Sequence, residues 1–279
     1  FASTQLDKLM LGALVPFGLL GLYSQANRLA QLPLQVSSRL GSYVLYPLLA
    51  RENRRGGVEL GRKVLKARGL VLDGSLAVSL AIVLFAPDFF RIFYDARYHD
   101  AGWISQLLSL SLWFFFLQNA CTQALLAVGE PRWIAASNGV KLVATAAACY
   151  AGYWIGGRIG FWVDLLGPLL SGAAAAHEWV AWGSRLQMGG FLLGLALASL
   201  SAQLVTQYAL ARYGISVVKQ DVLYTLGLLG MGGAGVAAAV LIERLIPGPA
   251  GLGVAAIVSS LVLLPSVVRL AKRAKAQLL

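Results

Sequence analysis

Six apolar runs, each long enough to cross a lipid bilayer as a helix, follow one another along the sequence. A spanning helix needs about 20 apolar residues, because it rises ~1.5 Å per residue through a hydrocarbon core ~30 Å thick. The runs occupy residues 69–93, 103–128, 133–156, 189–211, 222–246 and 250–269. Only helices and closed barrels satisfy their backbone groups in lipid, and runs of this length favour helices.

Two earlier segments, residues 1–20 and 22–50, are apolar but interrupted by polar side chains. They bring the expected number of spans to eight, the first truncated because the sequence begins at Phe1 and within a helix. The sequence therefore predicts an all-α integral membrane protein, a polytopic helical bundle.

The charge content excludes a soluble globular domain. Charged residues make up 13 % of the chain, against about 25 % in an average soluble domain. The net charge of +11 does not indicate a nucleic-acid partner, since 58 % of the residues are hydrophobic. The excess of Lys and Arg over Asp and Glu is expected instead in loops that face the anionic membrane lipid of the cytoplasmic leaflet.

Residues 161–188 form a less clear segment, because charged side chains and three tryptophans interrupt it. If the segment does not cross the membrane, 14 Lys and Arg residues face the cytoplasm and 5 face outward; if it crosses, the counts are 10 and 9. Cytoplasmic loops collect Lys and Arg. We therefore expect an outward-facing interfacial or re-entrant segment, and a basic C-terminal tail in the cytoplasm.

Polar side chains recur every three or four positions along residues 22–50, so that they share one face of a helix. They are Ser24, Arg28, Gln31, Gln35, Ser38, Arg39, Ser42 and Tyr46. An Arg at mid-bilayer costs about 2.5 to 3.5 kcal/mol on insertion scales. Arg28 and Arg39 are therefore expected to face protein or a water-filled cavity, and Pro33 predicts a bend in this helix.

Two more polar groups share this character: Asp7 with Lys8, and Asn138 with Lys141 at helical spacing. We expect these stripes to surround one hydrophilic cavity with surplus positive charge, which would attract a phosphate-bearing substrate because Arg binds phosphate bidentately. Asp7 is a counter-ion, a coupling site for H⁺ or Na⁺, or a structural partner of Lys8 or Arg28. The candidate substrate-binding residues are Asp7, Lys8, Ser24, Arg28, Gln31, Gln35, Arg39, Asn138 and Lys141.

Two further polar clusters, around Gln118 and around Gln203 with Gln207, either line the cavity or tie helices together by hydrogen bonds. Tying helices together is the favoured reading, since amide side chains commonly bond across membrane helices. The small residues Gly190 and Gly194 predict a close approach of two helices.

The sequence shows no nucleophile or phosphate-loop motif, no metal-ligand spacing and no cofactor motif, so neither enzyme activity nor a cofactor is expected. His177 beside Glu178 is the one pair of note.

Four segments together resemble a known family. They are STQLDKLMLG at residues 3–12, GLYS at 21–24, RLAQLP at 28–33 and VLYPLLAR at 44–51, and the turn GEPR at 129–132 fits them. In order and spacing they are similar to the second half of the polysaccharide-type flippases, which belong to the multidrug/oligosaccharidyl-lipid/polysaccharide exporter superfamily.

The resemblance implies a fourteen-helix transporter, of which residues 1–212 form the C-terminal lobe and residues 213–279 two additional helices with the tail. It implies that the N-terminal half is missing here. It also implies that a polyprenyl-diphosphate-linked oligosaccharide crosses the bacterial inner membrane by alternating access, with Arg28, Lys8 and Asp7 at cavity-lining positions. An ion-coupled drug exporter of the same superfamily, or a membrane polysaccharide polymerase or ligase, is the alternative.

Overall fold

The computed structural model describes residues 2–15, 17–40, 60–171, 176–246 and 249–278. Within these ranges the chain forms nine α-helices and a short 3₁₀ turn at Ala96–Tyr98, and no strand. The helices are α1 (Ala2–Leu14), α2 (Phe17–Ala30), α3 (Leu32–Leu40), α4 (Leu60–Phe93), α5 (Ala101–Val128), α6 (Pro131–Ser171), α7 (Ala176–Arg212), α8 (Val218–Leu245) and α9 (Pro249–Leu278).

Five segments are long and apolar enough to cross a membrane. They are Val64–Phe93, Ala96–Leu126, Arg185–Arg212, Val218–Ile242 and Gly253–Lys272. They correspond to five of the six clear runs in the sequence. The fold is thus an all-helical bundle of the kind found in multi-pass membrane proteins.

Helix α5 lies at the centre of the bundle. It contacts α2, α4, α6 and α7, and side chains from several sides of it are buried, among them Ile104, Trp113 and Phe116. A helix that is apolar all round belongs in the interior of a bundle. The outer helices, by contrast, expose large apolar side chains such as Leu223 and Leu261, as surfaces that face lipid do.

The boundaries of the first helices differ from those expected. The predicted helix 1–20 is divided, since α1 ends at Leu14 and α2 starts at Phe17; Pro16 separates them, and proline disfavours helical conformation in the residue before it. The predicted helix 22–50 is divided at Gln31, next to the bend expected at Pro33. Pro33 fits the first turn of α3, where a missing N–H costs nothing. Residues 41–50 lie outside the described residues.

Helices α6 and α7 form an antiparallel hairpin in which the two backbones touch. A Cβ atom added to Gly152 would lie 2.1 Å from the carbonyl oxygen of Gly190, and one on Gly194 would lie 2.3 Å from that of Ala148. Such contacts are possible only for residues without side chains. The expected close approach at Gly190 and Gly194 is confirmed, and its partner is the Gly152 face of α6.

In the described parts, residues 161–171 continue α6 and residues 176–188 begin α7. With 41 and 37 residues, these helices are about 60 and 55 Å long, which exceeds the ~30 Å of a hydrocarbon core. The interfacial or re-entrant position of residues 161–188 stays a prediction.

The turn between α5 and α6 lies beside the end of α7. Gly129, with a φ of 90°, closes α5, and Arg132 binds the Glu130 carboxylate through both Nε (2.6 Å) and Nη2 (3.2 Å). A hydrogen bond from Tyr213 and the charge of Arg132 lower the pKa of Glu130. Arg132 and Tyr213 therefore lie on the same side of the bundle, while the turn at Ala96–Tyr98 lies at the opposite end of α5.

Candidate functional site

Asp7 and Lys141, two of the predicted site residues, lie near each other between α1, α2 and α6. The hydroxyl of Tyr23, which is fully buried, donates a hydrogen bond to the Asp7 carboxylate. Lys141 is 5 % exposed and lies close enough to Asp7 to feel its charge. The hydrogen-bond partner of Asp7 is thus Tyr23, and not the expected Lys8 or Arg28.

The Lys141 ammonium lies over an aromatic ring. Its Nζ lies 3.3 Å from the centre of the Phe115 ring on α5. A cation over an aromatic face gains up to about 2 kcal/mol where water is excluded. This contact stabilises the buried ammonium of Lys141.

The remaining predicted residues of α2 and α3 divide into two groups. Ser24 bonds its own helix, at 2.8 Å from the carbonyl oxygen of Leu20, and the Gln31 amide donates to the Asn27 amide oxygen at 3.0 Å. Arg28 and Gln35 are exposed. They lie on two successive helices, Arg28 on α2 and Gln35 on α3, on either side of the break at Gln31.

The other predicted residues lie on α1, α3 and α6. Lys8 is half-buried on α1, and Asn138 is exposed on α6. The side chain of Arg39 lies outside the described residues, as do Ser42 and Tyr46. The structure thus places Asp7 near Lys141 and leaves Arg28 and Gln35 exposed.

The depth of Arg28 follows from the contacts of its own helix. Ser105 of α5 lies 3.5 Å from the carbonyl oxygen of Ala26, and Asn119 of α5 lies 3.4 Å from the Ser38 hydroxyl. Helices α2 and α3 therefore run alongside α5, level with its residues 105 to 119. These residues belong to the candidate span Ala96–Leu126, so Arg28 is exposed level with that candidate span.

A second group of charged residues is buried where α4, α7 and α8 meet, and the sequence did not reveal it. The Arg68 guanidinium, fully buried, lies 2.5 Å from the Asp221 carboxylate. The amides of Gln203 and Gln207 donate to the other oxygen of Asp221, at 2.6 and 2.5 Å. Arg68 further donates to Gln220 at 3.0 Å. We call these five residues the Arg68 cluster.

One helical turn further along α8, a second contact joins α8 to α4. The hydroxyl of Tyr224 on α8 donates to Asp73 on α4 at 2.6 Å and lies 3.2 Å from the carbonyl oxygen of Gly69. Together with the Arg68 cluster, this contact fixes α8 against α4 through polar groups. Removing one partner of a buried ion pair lowers the stability of a protein by about 3 to 5 kcal/mol. We therefore infer that these polar contacts stabilise the packing of α8 against α4.

The amide residues confirm the favoured reading of the two Gln clusters. Gln203 and Gln207 join α7 to α8 through Asp221, and Gln118 on α5 donates to the Ser137 hydroxyl on α6 at 3.3 Å. These side chains tie helices together. Arg68 directly precedes the apolar run that begins at residue 69, a position that is typical of a loop, whereas α4 begins at Leu60.

An apolar groove of about 630 Å³ opens between α5, α6 and α7. Glycines of the hairpin, among them Gly152 and Gly189, line it together with Ile155 and Leu193. Arg185 lies at one end, 3.0 Å from Asp100. A smaller cavity of about 250 Å³ adjoins the groove at Leu107, Gly189 and Leu193.

Among the side chains that the structure describes, no three His, Cys, Asp or Glu residues come together as metal ligands. Comparison with protein-family models, with curated proteins and with solved structures gives no match for this chain.

Proposed function

We propose that this chain is part of a membrane transporter that moves a lipid-linked, phosphate-bearing oligosaccharide across the bacterial inner membrane. The observation that carries the proposal is Arg28, a guanidinium exposed at membrane depth on α2. Contact with acyl chains would cost this side chain about 2.5 to 3.5 kcal/mol on insertion scales. The face that bears it is therefore expected to adjoin water or protein.

The two sides of α2 support this interpretation. Tyr23, Ala26, Asn27 and Ala30 are buried against the bundle, whereas Arg28 faces outward. An exposed cationic face at this depth fits one wall of an aqueous pathway, whose other wall would come from another part of the transporter. A guanidinium on that wall suits a diphosphate group, because it presents paired N–H donors to phosphate oxygens.

The contacts of Asp7 and Lys141 refine the proposed role of each residue. Asp7 accepts a hydrogen bond from Tyr23, and Lys141, which is buried, lies against Phe115. Lys141 is thus less suited to direct contact with substrate than Arg28 is. The motifs at residues 3–12 and 28–33, which resemble those of polysaccharide-type flippases, support the choice of a lipid-linked oligosaccharide as substrate.

Substitution of Arg28 in the full-length transporter tests the proposal. In vesicles with a fluorescent polyprenyl-diphosphate oligosaccharide, Arg28→Ala is expected to lower the rate of translocation by about tenfold or more, the equivalent of one lost charged hydrogen bond. Arg28→Lys should retain part of the rate. Arg97→Ala, which removes a cation from an exposed turn, is the matched control and should leave the rate unchanged.

Three outcomes would contradict the proposal. Unchanged translocation in Arg28→Ala would remove the assigned role of this face. Export of a lipophilic cationic drug by the wild type, without movement of the lipid-linked sugar, would favour the drug exporter. Extension of the sugar chain in the same vesicles would favour a polymerase or ligase.

A second experiment separates a structural role of Asp7 from a role in transport. Asp7→Asn weakens the hydrogen bond that the buried Tyr23 hydroxyl donates, so we expect a lower melting temperature, and Tyr23→Phe in addition should restore part of it because no unpaired hydroxyl remains. If the double variant still translocates substrate, Asp7 is structural. If it is stable but inactive, Asp7 is needed for transport, as expected for a coupling site for H⁺ or Na⁺.

A further inference from the structure

Two turns lie side by side at one end of the bundle. The first, at residues 129–130, joins α5 to α6, and the second, at residues 213–217, joins α7 to α8. Next to these turns, the rings of Trp133 and Tyr208 lie 5.9 Å apart. Since α7 itself ends at Arg212, which is also the last residue of its candidate span, this end of the bundle is expected near the lipid headgroups.

The guanidinium of Arg212 is held by both rings. Its central carbon lies 5.7 Å from the centre of the Trp133 ring on α6 and 5.3 Å from that of Tyr208 on α7. Both distances are within the ~6 Å over which a cation and an aromatic face attract each other. The rings therefore position the guanidinium and leave its N–H donors open.

These donors have no protein acceptor among the described side chains. Arg212 is exposed, and it forms neither an ion pair nor a hydrogen bond with any of them. The carboxylate in the neighbouring turn, Glu130, is already bound by Arg132 through two hydrogen bonds. A guanidinium that is positioned but unpaired is suited to binding an oxyanion, because it presents two parallel donors to it.

Two exposed lysines add to the positive charge of this end. Lys219 lies in the first turn of α8, and Lys66 lies on α4. The segment of Lys66 belongs to the same end, since the carbonyl oxygen of Leu65 accepts a hydrogen bond from Gln220 at 3.1 Å. Neither lysine forms an ion pair with a described side chain. The surplus of positive charge favours an anionic partner.

The side of α7 that leads to Arg212 is apolar. Leu204 and Tyr208 are 55 % and 56 % exposed, and they precede Arg212 by two turns and by one turn on the same side of the helix. An aliphatic, an aromatic and a cationic side chain thus follow one another. A phospholipid has this order of chemistry, from acyl chain to interface to phosphate, and Trp and Tyr are enriched at that interface. A free phosphate would use the cation alone.

We infer that Trp133, Tyr208 and Arg212 form a binding site for one anionic phospholipid, with its phosphate on the guanidinium and its acyl chain along Leu204. The site is independent of the proposed transport path, because it lies on α6 and α7, whereas Arg28 lies on α2.

Photo-crosslinking of the full-length protein in phosphatidylcholine nanodiscs tests the inference. The probe is a phosphatidylglycerol with a diazirine next to its phosphate, and mass spectrometry identifies the crosslinked peptides. In the wild type we expect crosslinks within residues 131–136 and 204–213. Arg212→Gln should lower their yield about fivefold, since one cation near a membrane surface contributes about this factor to the binding of anionic lipid.

A matched control exists at the other end of α5. Arg97 also lies over an aromatic ring, 5.1 Å from the centre of Tyr98, but it has a carboxylate partner in Asp95 at 3.7 Å. Arg97→Gln should therefore leave the yield at residues 131–136 and 204–213 unchanged. An unchanged yield in a folded Arg212→Gln variant would overturn the assignment.

Variants of Tyr208 test the role of the rings and serve if Arg212→Gln does not fold. Tyr208→Phe keeps the aromatic face and should retain the yield, whereas Tyr208→Leu leaves the guanidinium less well positioned and should lower it. Equal yields in these two variants would contradict the part assigned to the ring.

Competition identifies the occupant. Unlabelled phosphatidylglycerol should displace the probe more effectively than added phosphatidylcholine does, and inorganic phosphate should not displace it. Equal displacement by the two lipids, or displacement by phosphate, would contradict a site for anionic phospholipid. Stronger displacement by a polyprenyl diphosphate would also contradict it and would assign the site to the transported lipid. Translocation by Arg28→Ala is measured separately, so that the two proposals can fail independently.

Discussion

The guanidinium of Arg68 and the carboxylate of Asp221 lie 2.5 Å apart, with only 0 % and 6 % of their side chains exposed. One residue belongs to α4 and the other to the first turn of α8. Their pairing, with the amides of Gln203 and Gln207 on the same carboxylate, joins α4 to the consecutive helices α7 and α8.

Breaking this pair should destabilise the bundle. Arg68→Met leaves Asp221 buried and uncompensated, and we expect a loss of about 3 to 5 kcal/mol in the free energy of unfolding. Asp221→Leu alone should cost a similar amount. Thermal unfolding in detergent, followed by tryptophan fluorescence, measures the change.

The double variant shows whether Arg68 and Asp221 contribute to the free energy of unfolding as a pair or independently. If the pairing matters, Arg68→Met with Asp221→Leu should be more stable than either single variant, since no uncompensated charge remains. Additive losses would contradict the assignment. Arg97→Ala is the control, because its pair with Asp95 is exposed and should contribute little.

The backbone contact of the α6–α7 hairpin gives a second prediction. Gly152→Ala would bring a Cβ to 2.1 Å from the Gly190 carbonyl oxygen, so the helices must separate and the melting temperature should fall. Gly139→Ala, on the same helix, meets no atom within 4 Å. The latter should be neutral or stabilising by about 0.5 to 1 kcal/mol, because Ala favours helix more than Gly does.

Comparing the melting temperatures of Gly152→Ala and Gly139→Ala isolates the effect of the backbone contact with Gly190. Both substitutions add the same methyl group to α6 and raise its helix propensity equally. A difference in melting temperature between them therefore measures the clash at Gly190. If Gly152→Ala were as stable as Gly139→Ala, the two backbones would not be in contact.

The helices were largely predictable, because lipid imposes a simple rule on sequence. Runs of about 20 apolar residues predict five of the spans directly. The rule does not mark where these helices end: residues 161–188 carry charges and tryptophans, although the described parts continue α6 and α7. Hydropathy indicates whether water or lipid surrounds a segment, and it does not indicate where a helix ends.

The polar residues were less predictable, since spacing along one helix does not reveal the partner on another. Lys141 was expected beside a wet cavity, yet it lies on Phe115 near Asp7. Arg68 directly precedes the predicted run 69–93, where a loop is expected, yet it is buried against Asp221. A charge at the edge of an apolar run is ambiguous until the neighbouring helix is known, because the same residue suits either a loop or a buried pair.

The turn after α5 gives a prediction about pH. The Glu130 pKa is lowered from its ordinary value of 4.5 by Tyr213 and Arg132, so its titration by carbon NMR should have a midpoint below that value. A carboxylate with a lowered pKa stabilises the fold above its unfolded pKa and loses this contribution as the pH falls through the folded value. Tyr213→Phe should raise the midpoint, whereas Tyr208→Phe, on a neighbouring ring, should not.

The orientation of the bundle can be tested with single cysteines on either side of α5. Both native cysteines, Cys121 and Cys149, are buried and should not react with a membrane-impermeant maleimide. Arg97 and Arg132 have side chains that are 74 % and 75 % exposed and flank the candidate span Ala96–Leu126. Arg97→Cys should therefore react only from outside intact cells, and Arg132→Cys only after the cytoplasmic face is opened, as the excess of Lys and Arg on that side predicts. Labelling of both positions from one side would show that α5 does not cross the membrane, and a reversed pattern would invert the proposed direction of transport.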